Sequence, residues 1–406
     1  MDRKRPLKIA VTGAGLINSP DGRENWAVRA HLPVLKALPD HFEVSAICTT
    51  RMETATASAE KFGVPRAFDS VERMLAEMPE LDAVCVSVRP AHHHAIVMPS
   101  LRAGKHVYCE QPMGVTTAEA EEMYAAAREN GLRTIIGHQA HHEPATLYMQ
   151  DLVRQGFIGR PLAFSHTYFA SNYITPRPAH RQWLFQPEMG GHPGYRSGHS
   201  LERVMAVLGR NVTSVSADMG IQVPERRAVD TGGVIRSRQV DNMNYLLRVD
   251  GGVMGTMQVS YTAWYGTGDR FEVYGTQGML LLGSKQSTRS LADGSRAGNR
   301  PTGAMRLYGA RVDIDRLLSS PTPPEHLQHG FEELDVPERF HAPLPEKADP
   351  FAVGPAWVAF ADAIREGREC SPSFRDKLRI HRIWDAAERS VASKAGWMDV
   401  DYAGID

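Results

Sequence analysis

Hydrophobic positions along this 406-residue chain keep two rhythms, and the change falls near residue 144. Before it, short unbroken apolar runs alternate with stretches of helical period. Lys8 to Thr12, Phe42 to Cys48, Leu81 to Val88, His106 to Cys109 and Arg133 to Gly137 read as strands, the third nearly continuous in apolar residues, as strands buried on both faces are. Between them, Trp26, Ala27, Ala30, Leu32 and Leu35 recur at helical spacing, and helices are predicted over Thr54 to Phe62, after Asp69-Ser70, and over Ala95 to Ala103. Thr116-Thr117-Ala118-Glu119 predicts a capping box, with Asn130-Gly131 as the matching stop. After residue 144 the period becomes 2: Leu162 to Tyr168, Thr213 to Met219, Asp241 to Val249, Val253 to Tyr261, Asp269 to Tyr274 and Met279 to Leu282, with glycine-rich turns at 250–252 and 275–278.

The first rhythm predicts a doubly wound parallel sheet of the Rossmann type over residues 1–143. The second predicts a largely antiparallel sheet with helices over residues 144–406, entered through a helix from Pro144 to Gln155. Residues 284–349, rich in glycine, proline and charge, read as an excursion from that sheet, a lid or an oligomer contact, without a domain of its own. Helices are expected over 350–366 and 374–395, and the stripe Trp357, Phe360, Ile364 suits packing back on the first domain. A sheet that is apolar on one face needs a cover, and exposed faces point to a homodimer or homotetramer.

Composition narrows the partners. A net charge of −1 leaves no electrostatic case for nucleic acid or an anionic membrane surface. No apolar run is long enough to cross a bilayer, and the basic start, Met1 to Arg5, lacks the apolar core of a secretory signal. Four cysteines, at 48, 85, 109 and 370, are widely spaced and fit reduced thiols in the cytoplasm.

Strand, glycine turn and helix at Lys8 to Leu35 make the opening of a dinucleotide fold, with Gly13, Gly15 and Leu16 where a backbone would approach a pyrophosphate. The fingerprint is imperfect, because Asn18 stands where a third glycine is usual. At the end of the second strand, Thr49-Thr50-Arg51 replaces the acidic residue that binds ribose hydroxyls in NAD-preferring folds. These residues suit a 2′-phosphate, so NADP is favoured slightly over NAD; the alternative is that Arg51 is only a solvated cation at a helix start. His92-His93-His94 lacks the spacing that converges on one ion, and no metal is expected. Tyr173, Arg181 and Trp183 lie in a loop whose aromatic and hydrogen-bonding groups suit a polyol, a sugar or a protein interface.

The stretch Ala103-Gly104-Lys105-His106-Val107-Tyr108-Cys109-Glu110-Gln111-Pro112 resembles the Ala-Gly-Lys-His-Val-x-x-Glu-Lys-Pro motif of the glucose-fructose oxidoreductase and inositol dehydrogenase family, Gfo/Idh/MocA. The similarity runs over about residues 8–283 and 349–397. The family's proton-handling lysine is Gln111 here, and a glutamine has no proton to give near neutral pH. The resemblance further implies that Arg89, Pro90 and His94 border the nicotinamide beside Glu110 and Gln111, and that Gln139 and His141 face substrate. It aligns His199 with the family histidine, Tyr195 with its aspartate and Glu202 with a later acid, on a segment that also brings Arg196 toward substrate.

Taken together, these residues predict hydride transfer between a nicotinamide and a secondary alcohol or ketone of a sugar-like or cyclic polyol. His199 is the expected acid and base, since histidine titrates near pH 6.5; Tyr195 is a donor or relay, and Gln111 an orienting group. Packing roles for His199 and Tyr195 are the plainer alternatives. The substituted motif, Trp26-Ala27 ahead of His31-Leu32-Pro33, and Gly198-His199 before an apolar helix resemble the Gal80-like branch, which implies a rival: a dinucleotide-binding sensor without catalysis.

Overall fold

The structure, a computed structural model, describes residues 5–16, 25–190, 193–284, 305–312, 319, 331–345, 347–349 and 351–405, with the side chains of 193, 195 and 284 left aside. The first sheet is built from β1 (Leu7–Thr12), β2 (Phe42–Cys48), β3 (Arg66–Phe68), β4 (Ala83–Val86), β5 (His106–Cys109) and β6 (Thr134–Ile136). Its order is β3-β2-β1-β4-β5-β6, with every pair parallel. The order reverses between β1 and β4, the topological switch point at whose carboxyl edge such sheets bind ligands.

Helices α1 (Leu32–Ala37, continuing a π-helical turn at Ala27–His31), α2 (Met52–Phe62), α3 (Val71–Glu77), α4 (His93–Arg102) and α5 (Thr117–Glu129) cover the two faces. Alternation along β1 sends Ile9 and Val11 into one core and Ala10 into the other. At the start of α5, Thr116 accepts from the Glu119 amide at 3.2 Å, while Glu119 reaches past the cap to the Val115 amide at 2.7 Å.

Beyond α6 (Pro144–Arg154) come β7 (Pro161–Phe169), α7 (Pro187–Gly190), α8 (Gly198–Leu208), β8 (Val212–Gly220), β9 (Glu225–Arg227), β10 (Val234–Arg236), β11 (Asn242–Val249), β12 (Val253–Ser260), β13 (Gly268–Gly275) and β14 (Gly278–Ser284). The described part of the 284–349 excursion adds β15 (Met305–Arg311) and β16 (Glu332–Leu334) to the edge of this sheet. Its nine strands run in the order β16-β15-β14-β13-β7-β12-β11-β8-β17, the last being Met398–Asp399, and are antiparallel apart from the β7–β12 pair. One face is buried under α6, α8 and the last helix; the other exposes Leu162, Leu246, Met254 and Tyr274.

The two C-terminal helices tie the sheets together. In α9 (Gly354–Glu366), Trp357, Phe360 and Ile364 enter the core of the first sheet, where Trp357 stacks on Tyr108 with ring centres 4.5 Å apart. Helix α10 (Phe374–Ala392) starts from a Ser373–Asp376 capping box and is fastened to the open edge of β6. Ile136 donates to the Pro372 carbonyl at 2.8 Å, and the Phe374 amide to the Thr134 hydroxyl at 3.2 Å. Phe374 and Leu378 pack on the first sheet, and Ile380, Ile383 and Trp384 on the second. No helix of the described residues is long and apolar enough to cross a membrane.

Candidate active site

A cleft of about 1380 Å³ opens along the carboxyl ends of the first sheet's strands and is closed on its far side by α8, the 170–190 loop and residues near 336–355. Gly13 ends β1 at φ +76°, and a Cβ there would lie 2.2 Å from the Ser87 carbonyl oxygen. Only glycine lets these two strand ends approach so closely. Gly13, Thr50, Ser87, Arg89 and Pro90 line this end of the cleft, and Asn25 donates to the Gly15 carbonyl at 2.7 Å. An extended ligand with a pyrophosphate at its middle fits this cradle.

Gly15 and Leu16 stand just outside the cavity wall, and the expected third-glycine position, Asn18, lies outside the described residues. Thr49 turns its hydroxyl to the Arg51 carbonyl at 2.8 Å and to the Thr54 hydroxyl at 2.7 Å, which leaves Thr50 as the threonine of the pair on the cleft. Arg51 is the exposed N-cap of α2. The three histidines point three ways, as neighbours at the start of a helix do. His92 lines the cleft, His93 is buried with Nδ1 2.8 Å from the Pro112 carbonyl, and His94 faces outward against Glu122 at 2.8 Å. His94, expected beside the cofactor, is thus turned away from the cleft, and His92 is the histidine of the three that lines it. No group of His, Cys, Asp and Glu among the described residues could hold a metal.

Glu110 ends β5 within reach of three donors. Trp26 Nε1 and His31 Nε2 each lie 3.0 Å from its Oε1, and Gln139 Nε2 lies 3.4 Å from both carboxylate oxygens. Gln139 lines the cleft but is held by this carboxylate. His141, expected to face substrate, is turned inward to a buried ion pair with Glu202. Burial alone would push its pKa down; the Glu202 carboxylate outweighs that and raises it.

Gln111 and His199 both line the cleft, and Gln111 Oε1 is 3.1 Å from where a Cβ on Gly198 would lie, so the amide sits against the N-terminal turn of α8. His199 Nδ1 is 3.2 Å from His138 Nδ1, with the rings edge to face. Burial, then the neighbouring Lys377 and His199, hold His138 well below the usual histidine pKa. The side chain of Tyr195 lies outside the described residues.

On the far wall, Arg181, Trp183 and Arg196 line the cleft, and Arg89 crosses from the first sheet to lie 5.8 Å from the Trp183 ring centre. Tyr173 does not reach the cavity. The loop and the β9–β10 hairpin form a small core of Tyr173, Phe185, Ala228 and Ile235, and the tyrosine ring packs there under the Arg196 guanidinium at 3.9 Å. Arg196, itself half-buried, is pushed down to about 9 by burial.

Several site residues are not found by motif. Glu143 lines the cleft and burial pushes its carboxyl up to about 7, against the opposing pull of Arg203. Lys377, fully buried, donates from Nζ to Gln111 Oε1 at 2.6 Å. A sequence signal for it exists. Phe374, Lys377, Leu378, His381 and Trp384 follow one helical face, so a lysine stands in an apolar stripe.

The class that this fold and cleft define is a nicotinamide-dependent oxidoreductase, since open parallel sheets of this order bind dinucleotides at the carboxyl edge of their strands. Residues 7–138 match the family described as oxidoreductase family, NAD-binding Rossmann fold, and residues 146–281 match the GFO/IDH/MocA C-terminal domain; the chain belongs to this GFO/IDH/MocA family. It is 25% identical to levoglucosan dehydrogenase of Pseudarthrobacter phenanthrenivorans over 97% of this chain and 98% of that one. It is 33% identical to the 1,5-anhydro-D-fructose reductase of Ensifer adhaerens over 66% and 74%. A solved levoglucosan dehydrogenase complex with NADH and levoglucosan shares the fold at a TM-score of 0.78 and 22% identity, covering 98% and 100% of the two chains. The galactose/lactose regulatory protein GAL80 of Saccharomyces cerevisiae is 24% identical over 56% of this chain and 53% of its own, which supports the Gal80-like relationship.

Proposed function

We propose that the protein interconverts a secondary alcohol and a ketone on an anhydro sugar or cyclic polyol, with NAD(H) or NADP(H) as partner. The observation that carries this reading is the placement of His199 and Gln111 together on the cleft wall at the carboxyl edge of the parallel sheet. A bound nicotinamide supplies the chemistry of accepting, or returning, the hydride of the carbinol carbon. Gln111 orients the substrate oxygen. His199 takes the hydroxyl proton in oxidation and gives it back in reduction, with His138 fixing its ring through the 3.2 Å contact. Arg181, Trp183 and Arg89 close the cleft over the ring of the substrate.

Holding alcohol and acceptor in attack geometry contributes on the order of 7 to 11 kcal/mol. Thr50 and Arg51, with no carboxylate at the β2 tip, favour NADP(H) among the two cofactors. Levoglucosan, 1,5-anhydrofructose, inositols and cyclic diols, offered with each cofactor, test the reading. A change in nicotinamide absorbance with at least one of them is expected, and redox silence across the whole panel with tight dinucleotide binding would favour the sensor.

That second reading, a Gal80-like sensor, is favoured by Gln111, which cannot itself move a proton. For assembly and location we infer a cytoplasmic homodimer or homotetramer formed through the open face of the nine-stranded sheet. Met254 is 59% exposed there and Leu246 48%. Light scattering of wild type and Met254→Glu checks this, with a shift to monomer expected in the variant.

A further inference from the structure

Lys377 is unusual among the charged side chains of this fold. It is fully buried, and no carboxylate among the described residues lies within salt-bridge distance of it. Its Nζ contacts Gln111 Oε1 at 2.6 Å and lies 4.0 Å from the Trp384 ring centre. Burying an ammonium without a counterion costs several kcal/mol, and a fold retains such a group where it does something packing would not. The amide it touches is a wall of the cleft, whereas Lys377 itself does not line the cavity.

We propose that Lys377 is a positioning residue for the hydride-transfer reaction: by donating to Gln111 Oε1 it fixes the orientation of the carboxamide on the cleft wall, so that the amide meets the substrate oxygen as a donor, and polarises its N–H groups. A glutamine amide carries one acceptor and two donors, so occupation of the oxygen leaves only donor chemistry at Gln111. A donor aimed at the oxygen where negative charge gathers favours the oxidation transition state and, in reverse, polarises the carbonyl. The proton itself goes to His199. This inference rests on the oxidoreductase reading above.

The surroundings supply the switch that exposes the role. Burial holds Lys377 well below the ordinary lysine value, opposed by Glu202 from α8 and Cys109 from β5. His138, from the segment after β6, feels the same ammonium, and His199 lies beyond it. The charged form polarises Gln111, so turnover falls as pH rises through the Lys377 pKa, which lies below that of an ordinary lysine.

The test has two arms. In the protein without substrate, NMR of lysine labelled at the ε-carbon is expected to show one resonance titrating below the others, absent in Lys377→Met and shifted in Gln111→Leu. A Lys377 signal that titrates with the surface lysines, or ignores Gln111→Leu, overturns the inference. In turnover, Lys377→Met is expected to lower kcat by roughly 100-fold, with KM changed little and the alkaline limb lost. Gln111→Leu gives the same kcat loss with Lys377 in place, and so carries the test should Lys377→Met fail to fold. Moving the ammonium onto the cleft wall in Gln111→Lys/Lys377→Met is expected to restore turnover. An active wild type whose two single variants keep kcat overturns this inference alone; a wild type inert on every substrate overturns the oxidoreductase reading and takes the positioning role with it.

Discussion

Trp357 donates its indole N–H to Nδ1 of His31 at 3.1 Å, across 326 residues of chain. With Nδ1 occupied as an acceptor, Nε2 is the ring nitrogen left to donate to Glu110, 3.0 Å away. The last quarter of the chain thereby holds in place a carboxylate that lines the cleft. Trp357→Phe keeps an aromatic ring against Tyr108 and removes the donor together with part of the buried ring volume. The expected cost is about 1 to 3 kcal/mol, read by denaturant unfolding, with weaker NADH binding read by fluorescence. Loss of stability with unchanged NADH affinity would show that the link is structural only.

The His141–Glu202 pair is a buried bridge between the two halves of the chain. Glu202→Gln is expected to cost about 3 to 5 kcal/mol, and the cost is to depend on pH. The folded pKa of His141 is raised, so its contribution is complete below the unfolded value near 6.5 and fades as pH rises through the folded value. Unfolding free energies of wild type and variant should therefore diverge most in mild acid and approach each other in alkali; a constant gap would disprove the coupling.

Glu143 titrates in the opposite sense for a carboxylate, with its folded pKa raised to about 7 from 4.5. Its contribution is complete below the unfolded value and is lost as pH rises through about 7. Glutamine keeps an acceptor for the Met305 amide, now 2.9 Å from the carboxylate, and has no charge to bury. Glu143→Gln should then gain on the order of 1 to 3 kcal/mol over wild type above neutrality and nothing near pH 4. Melting temperatures across that range decide it.

Gly13→Ala would place a methyl 2.2 Å from the Ser87 carbonyl oxygen at a left-handed backbone position. Spreading β1 from β4 at the cleft floor is expected to weaken dinucleotide binding by roughly 10-fold or more, in line with a cost of about 1 to 3 kcal/mol for a strained backbone. Calorimetry with NADH measures this, and unaltered affinity would place the pyrophosphate elsewhere.

Arg51→Ala tests the choice between cofactors. Its side chain is exposed at the start of α2, so the fold should survive its removal. The expected result is a selective loss of NADP(H) affinity, about 5- to 50-fold, as for one charge-assisted contact, with NAD(H) little changed. An equal effect on both would mean that Arg51 is a solvated cation.

What the sequence by itself determined is periodic or local. The strands β1, β2, β4 to β8 and β11 to β14, the capped start of α5, the glycine at the end of β1 and the Trp357, Phe360, Ile364 stripe all rest on contacts within a few residues or on one period, whereas the short β3 and the strands β15, β16 and β17 toward the edges of the second sheet carry no such signal. Such signals survive without knowledge of the fold. Motif positions also named Gln111, Glu110 and His199, which do reach the cleft.

Tertiary structure decided which side chains those neighbourhoods aim at one another. A motif places a histidine on a segment but not on a side of it, so the cleft received His92 instead of His94, while His141 turned to Glu202 and Tyr173 sank into a small core of its own. Lys377 needed more still. Its contact with Gln111 exists because residues 372–374 pair with the edge of β6 and start α10 at that place, so that its buried stripe runs between the two sheets. Direction around a strand end or a turn is set by what packs on the other side, and for Gln111 the other side arrives from 266 residues away.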